Sequence, residues 1–129
     1  MDTQNKKAKV LIIEDDQFLL ETLARRFNET GFTTDYLIDG NKVVEKIVIF
    51  KPDVILLDIL LPGKSGFEIC QEIKSNDQTK NIPVIFLSNL GSREDVEKGK
   101  KLGATSFLVK ATVLTEEIVR EVKKVLGNS

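Results

Sequence analysis

Five short aliphatic runs punctuate the chain, and amphipathic stretches separate them. Ala8 to Ile13 is the first run. It leads through Glu14, Asp15 and Asp16 into a segment where Leu20, Leu23, Ala24 and Phe27 recur at helical spacing. Asp16 is placed to cap that helix and Gly31 to end it. Phe32 to Ile38 alternates loosely and reads as a second strand, broken by Asp39 and Gly40. A second helix follows over Asn41 to Phe50, with Val43, Val44, Ile47 and Phe50 facing inward. Pro52 stops it ahead of Val54 to Leu57, four large aliphatics with no polar alternation, the mark of a central strand covered on both faces. After a Pro-Gly loop a third helix is predicted from about Phe67 to Ser75. Pro83 to Leu87 is the fourth strand. Ser92 opens a fourth helix with Asp95 in the capping-box position, and Val96 and Leu102 form its thin apolar face. Ser106 to Val109 is the last strand. Glu116 to Leu126 closes the chain as a helix whose Ile118, Val119, Val122, Val125 and Leu126 share one side, with Thr115 as its predicted cap.

Strand and helix therefore alternate five times with short connections. That pattern predicts an α/β domain with a five-stranded parallel sheet, doubly wound by five helices through right-handed crossovers. The common strand order for such a sheet is 2-1-3-4-5.

Composition narrows the function classes. A chain of 129 residues suits one domain. The formal charge is -1 and the lysines gather on no single predicted face, so direct nucleic-acid binding is not expected. No apolar run approaches the roughly 20 residues that cross a bilayer, and no membrane association is expected. Met1 to Lys9 is polar, unlike a secretion signal, and the single Cys70 cannot form an internal disulfide; both suit the cytoplasm. Cys70 reads as a small core residue, and Lys98, Lys100 and Lys101 as a solvated face. Histidine is absent, so any chemistry rests on carboxylates, hydroxyls and lysine.

Four of the five strands finish on such groups: Glu14 and Asp15, Asp58, Ser88, and Lys110. In a parallel sheet these ends share one edge, where open α/β sheets place ligands. Three carboxylates and one ammonium leave a formal charge of about -2, which a divalent cation offsets; an all-oxygen site with few protein ligands suits Mg2+. Lys110 and Ser88 can then hold phosphoryl oxygens while the Asp58 carboxylate attacks phosphorus, giving an acyl phosphate.

The segments VLIIEDD, VILLDILLPGKSGFE, VIFLSN and LGATSFLVK occur in the order and spacing of the receiver domain of two-component response regulators, which the chain resembles from Lys9 to Leu126. The resemblance implies a flavodoxin-like, CheY-like fold over residues 9–127, with residues 1–8 as a polar tail. It implies Asp15 as a metal ligand, Glu14 acting through water, and Asp58 as both ligand and phosphoacceptor. The backbone carbonyl of Leu60 would add a metal contact, Ser88 would be the hydroxyl that moves toward the phosphate, and Phe107 the aromatic switch. The implied phosphoryl donor is a sensor histidine kinase or phosphotransfer protein. The implied readout is the face of helix four, strand five and helix five, which engages a downstream protein, an output domain, or a second copy on phosphorylation. Such a domain is no general enzyme; it catalyses only its own phosphorylation and dephosphorylation. An output domain, if the protein has one, lies outside these residues.

Two departures from the family pattern carry expectations. Ala111 follows Lys110 where the family usually places proline after a cis bond; a non-proline cis bond costs about 3 to 4 kcal/mol, so a trans bond and a differently aimed Lys110 are expected. Asn89 after Ser88 is expected to narrow access to Asp58. Leu60 and Leu90 cannot orient water by hydrogen bonding, which predicts a long-lived phosphoryl group. A haloacid-dehalogenase-like phosphatase would need a second acid two residues after the nucleophile, where Leu60 stands. A flavin-binding domain would want hydroxyls and amides after the first strand, where acids stand. The remaining alternative is a degenerate receiver that docks without phosphorylation.

Overall fold

The computed structural model describes residues 7–127; most of the polar tail falls outside them. The elements run β1 (Lys9–Ile13), α1 (Gln17–Glu29), β2 (Thr33–Leu37), α2 (Val43–Phe50), β3 (Val54–Leu57), α3 (Gly66–Ser75), β4 (Val84–Ser88), α4 (Arg93–Lys101), β5 (Ser106–Val109) and α5 (Thr115–Val125). All neighbouring strands pair in parallel, in the order β2-β1-β3-β4-β5. Both the architecture and the strand order agree with the sequence reading.

The period of two along each strand divides the core into two layers. Val10, Ile12, Val54, Leu56, Ile85 and Leu87 pack with Leu20, Leu23 and Phe27 of α1 and Ile118, Val119 and Val122 of α5. Leu11, Ile13, Ile55, Leu57, Val84 and Phe86 face the other way, against Val43 and Ile47 of α2 and Ile69, Cys70 and Ile73 of α3. All four residues of β3 are buried, as its unbroken aliphatic run predicts, and each such side chain contributes about 1.5–3 kcal/mol. No residue of β2 is buried, in keeping with its edge position.

Helix ends follow local chemistry. Asp16 caps α1, its Oδ1 accepting from Leu19 N at 3.2 Å. Ser65 and Glu68 form a reciprocal capping box on α3. Two expectations need correction. α2 begins at Val43, because Asp39 Oδ1 accepts from Asn41 N and turns the chain, and Lys42 then adopts a left-handed conformation. The cap of α5 is Leu114, not Thr115: Thr115 is already helical, and Glu117 Oε1 accepts from Leu114 N at 2.7 Å.

Candidate functional site

The sheet's hydrogen bonding continues one residue past the strands and fixes where the polar groups start. Glu14 N donates to Leu37 O at 3.0 Å, Asp58 N to Ile13 O at 3.0 Å, and Lys110 N to Ser88 O at 2.9 Å. Glu14, Asp58 and Lys110 therefore leave the same edge of the sheet, Glu14 and Asp58 from neighbouring strands and Lys110 from beyond β4. Glu14 is 2% exposed, Asp58 5% and Ser88 0%, while Asp15 stands in solvent at the mouth.

Lys110 Nζ reaches both buried acids, lying 2.8 Å from Glu14 Oε1 and 2.9 Å from Asp58 Oδ2. The remaining oxygens are held by backbone: Glu14 Oε2 accepts from Asp16 N at 3.0 Å, and Asp58 Oδ1 from Ile59 N at 2.7 Å. Among the described residues no buried side-chain polar atom lacks a partner. Burial pushes the Glu14 carboxyl above the ordinary glutamate range, and repulsion from Asp58 adds to it; the hydrogen bonds from Lys110 and Asp16 N only partly offset this. For Lys110, burial on its own lowers the pKa, but hydrogen bonds first to Glu14 and then to Asp58 outweigh it and hold the ammonium above the usual lysine range.

The expected misdirection of Lys110 does not occur. There is no cis peptide bond among the described residues, so Lys110–Ala111 is trans as expected, yet the side chain still points at Asp58. The ladder bond to Ser88 sets its starting point, and Thr112 N and Val113 N both fold back onto Val109 O at 3.1 Å, which turns the loop without proline.

Glu14, Asp15 and Asp58 each offer a carboxylate oxygen within 4.8 Å of the others. Three acids with Lys110 nearby make an anionic, all-oxygen set compatible with a hard divalent cation. Ser88 Oγ, at the buried end of β4, accepts from Leu90 N at 3.3 Å. Phe107 is half-buried on β5, its ring centroid 5.7 Å from that of Phe86. Leu60 is 59% exposed, and Asn89 also stands exposed at the rim.

The sequence reading missed Gly66. A Cβ at this position would lie 2.1 Å from Asp58 O and 2.7 Å from Ile59 Cα. Gly66 N also donates to Ile59 O at 2.7 Å, so α3 begins in backbone contact with the loop that carries Asp58. The second glycine of Pro62-Gly63-Lys64-Ser65-Gly66 was the available signal, because only one glycine is needed for the turn at Gly63.

A model of the response regulator receiver domain matches residues 10–123. RpaA of Synechocystis sp., a DNA-binding dual master transcriptional regulator, is 32% identical over 112 residues, covering 87% of this chain and 46% of that protein. The chain thus spans about half the length of that relative. Among solved structures, the chemotaxis protein CheY4 of Vibrio cholerae superposes with a TM-score of 0.85 at 28% identity, over 92% of this chain and 98% of that one. The BeF3-activated N-terminal receiver domain of Klebsiella pneumoniae RstA gives 0.83 at 26%, over 92% and 97%. With the strand order, the acidic cluster and Lys110 all in place, the chain belongs to the response regulator receiver domain family of two-component signalling.

Proposed function

We propose that residues 9–127 act as a magnesium-dependent phosphoacceptor, taking a phosphoryl group on Asp58. The observation that carries this reading is the convergence of Lys110 Nζ on Asp58 Oδ2 and Glu14 Oε1 beside the carboxylate of Asp15. Asp15 and Asp58 would ligate the ion, with the Leu60 carbonyl as a further contact and Glu14 acting through water. Bound there, magnesium supplies neutralisation of charge on the phosphoryl oxygens. An Asp58 oxygen bonds to phosphorus as the bond from phosphorus to its donor breaks, leaving an acyl phosphate. Lys110 moves from Asp58 Oδ2 to a phosphoryl oxygen, so its charge follows the charge it balances. Ser88 Oγ donates to another, giving up its contact with Leu90 N, and Phe107 turns toward the space beside it.

The donor fits a sensor histidine kinase or phosphotransfer protein. Phe18 (81% exposed), Leu60 and Leu114 (65%) all follow carboxyl ends of strands, so apolar side chains lie in solvent on the edge that carries Asp58 and suit a protein donor. The readout is the face of α4, β5 and α5, offered to a downstream protein, an output domain or a second copy. One buried free cysteine is in keeping with a cytoplasmic place.

Incubation with acetyl phosphate tests the reading: one phosphoryl group should add to the intact protein with magnesium, and none with chelator or in Asp58→Ala. An unlabelled parent would overturn it and put phosphorylation-independent docking in its place.

A further inference from the structure

α4 has little with which to hold the body of the domain. Its sequence, Arg93 to Lys101, contains one aliphatic residue, Val96, and its only buried position is Gly99. Gly99 sits so close to the sheet that a Cβ there would lie 3.1 Å from the Phe86 ring and 3.2 Å from the Phe107 ring. The second attachment comes from the residue before it. Lys98 Nζ lies 4.5 Å from the centroid of the Phe67 ring, on the first turn of α3. That ring is 9% exposed and itself packs edge-on against Phe86 at 5.5 Å. Lys98 is itself an exposed residue, and its ammonium is attracted by the quadrupole of the ring beneath it while it stays in reach of water.

Phe67 is also the next residue after Gly66, whose backbone lies against Asp58 O and Ile59 Cα. A displacement of the Asp58 loop is therefore passed to the first turn of α3 without an intervening flexible side chain. The Phe67 ring carries it to Lys98. We infer that Phe67 and Lys98 form a latch tying α4 to the Asp58 loop through α3, a second route beside the one through Ser88 and Phe107, which it meets at the Phe86 ring. Lys98 is then a positioning residue for α4. Lys100 and Lys101, in the same turn, lie over no ring among the described residues and serve as internal controls.

The inference rests on the phosphoacceptor reading for its purpose, but its test does not need phosphorylation. Amide hydrogen exchange is measured on the unphosphorylated protein for the parent, Lys98→Met, Lys98→Arg, Phe67→Leu, the Lys98→Met/Phe67→Leu double variant and Lys100→Met. Methionine keeps the apolar stem and removes the charge. The expected result is exchange about threefold faster or more in α4 for Lys98→Met and Phe67→Leu, with no further gain in the double variant. The Ile59 and Leu60 amides should also exchange faster in Lys98→Met, whereas Lys98→Arg and Lys100→Met should match the parent. Acceleration confined to α4, with Ile59 and Leu60 unchanged, would overturn the latch, as would equal effects of Lys98→Met and Lys100→Met. A domain that fails to take phosphate would leave these exchange rates standing, so the two readings fail separately.

Discussion

Lys110 Nζ lies 2.8 Å from Glu14 Oε1 and 2.9 Å from Asp58 Oδ2, so one ammonium bridges two buried acids that would otherwise repel each other. Its removal leaves two adjacent carboxylates with no counter-charge. Lys110→Ala is expected to lower stability by about 3 kcal/mol in chelator, since breaking a buried pair strands the partner charge. Added magnesium should narrow the gap from the parent. Urea denaturation with and without magnesium measures both; a variant as stable as the parent in chelator would show that the pair contributes nothing.

Gly66 fits against Asp58 O and Ile59 Cα with no room for a Cβ. Both neighbours are backbone and cannot rotate aside. Gly66→Ala is expected to cost about 3 kcal/mol, at the upper end of overpacking effects, and to slow labelling by acetyl phosphate because the Asp58 loop must shift. Wild-type labelling in a folded Gly66→Ala protein would count against that coupling.

Gly99 lies beneath the Phe86 and Phe107 rings. Gly99→Ala gains about 1 kcal/mol of helix propensity and loses a comparable amount to the tight contacts, so stability should change little. The added methyl should restrain Phe107. Its ring NMR signals are expected to move on addition of beryllofluoride and magnesium to the parent and to move less in the variant; an unmoved parent ring would remove Phe107 from the switch.

Leu60 and Leu90 cannot hold a water for attack on a phosphoryl group. Replacing them together, as Leu60→Asn with Leu90→Glu, is expected to speed decay of the phosphorylated protein by about tenfold. Decay no faster than in the parent would dissociate phosphoryl lifetime from these two positions.

Burial pushes the Cys70 thiol up, with Lys74 opposing weakly, and Cys70 Sγ contacts Leu102 O at 3.8 Å. The unfolded thiol ionises first as pH rises, so the stabilisation from Cys70 is whole below the ordinary thiol range and is lost as pH climbs through the native value. Cys70→Ala should be less stable by about 1 kcal/mol at neutral pH, and its gap from the parent should shrink toward pH 10. A constant gap across thermal melts would mean that the thiol's environment does not shift its titration.

The strands were legible because burial on both faces leaves no polar alternation, as at Val54 to Leu57, and because strand ends carry their chemistry in the next residue. Asp16 was readable as a cap because an N-cap is a local hydrogen bond. Thr115 was misread for the same reason: the rule favours a hydroxyl, but Glu117 reaching back to Leu114 N does the capping instead. The parallel sheet brought Glu14 and Lys110 to one edge in the sequence reading, but their direct contact at 2.8 Å was not readable, since no local pattern sets the reach of a side chain between two residues far apart in the chain. Nor was the aim of Lys110 across a trans bond, which depends on a ladder bond to Ser88 and the turn after Val109.

Glu14 follows β1, Asp58 follows β3 and Lys110 follows β5, so the cluster draws on nearly the whole length of the chain. During synthesis the two acids emerge long before the lysine that steadies them. A chain that ends before the fifth strand therefore carries the two carboxylates without the ammonium that bridges them.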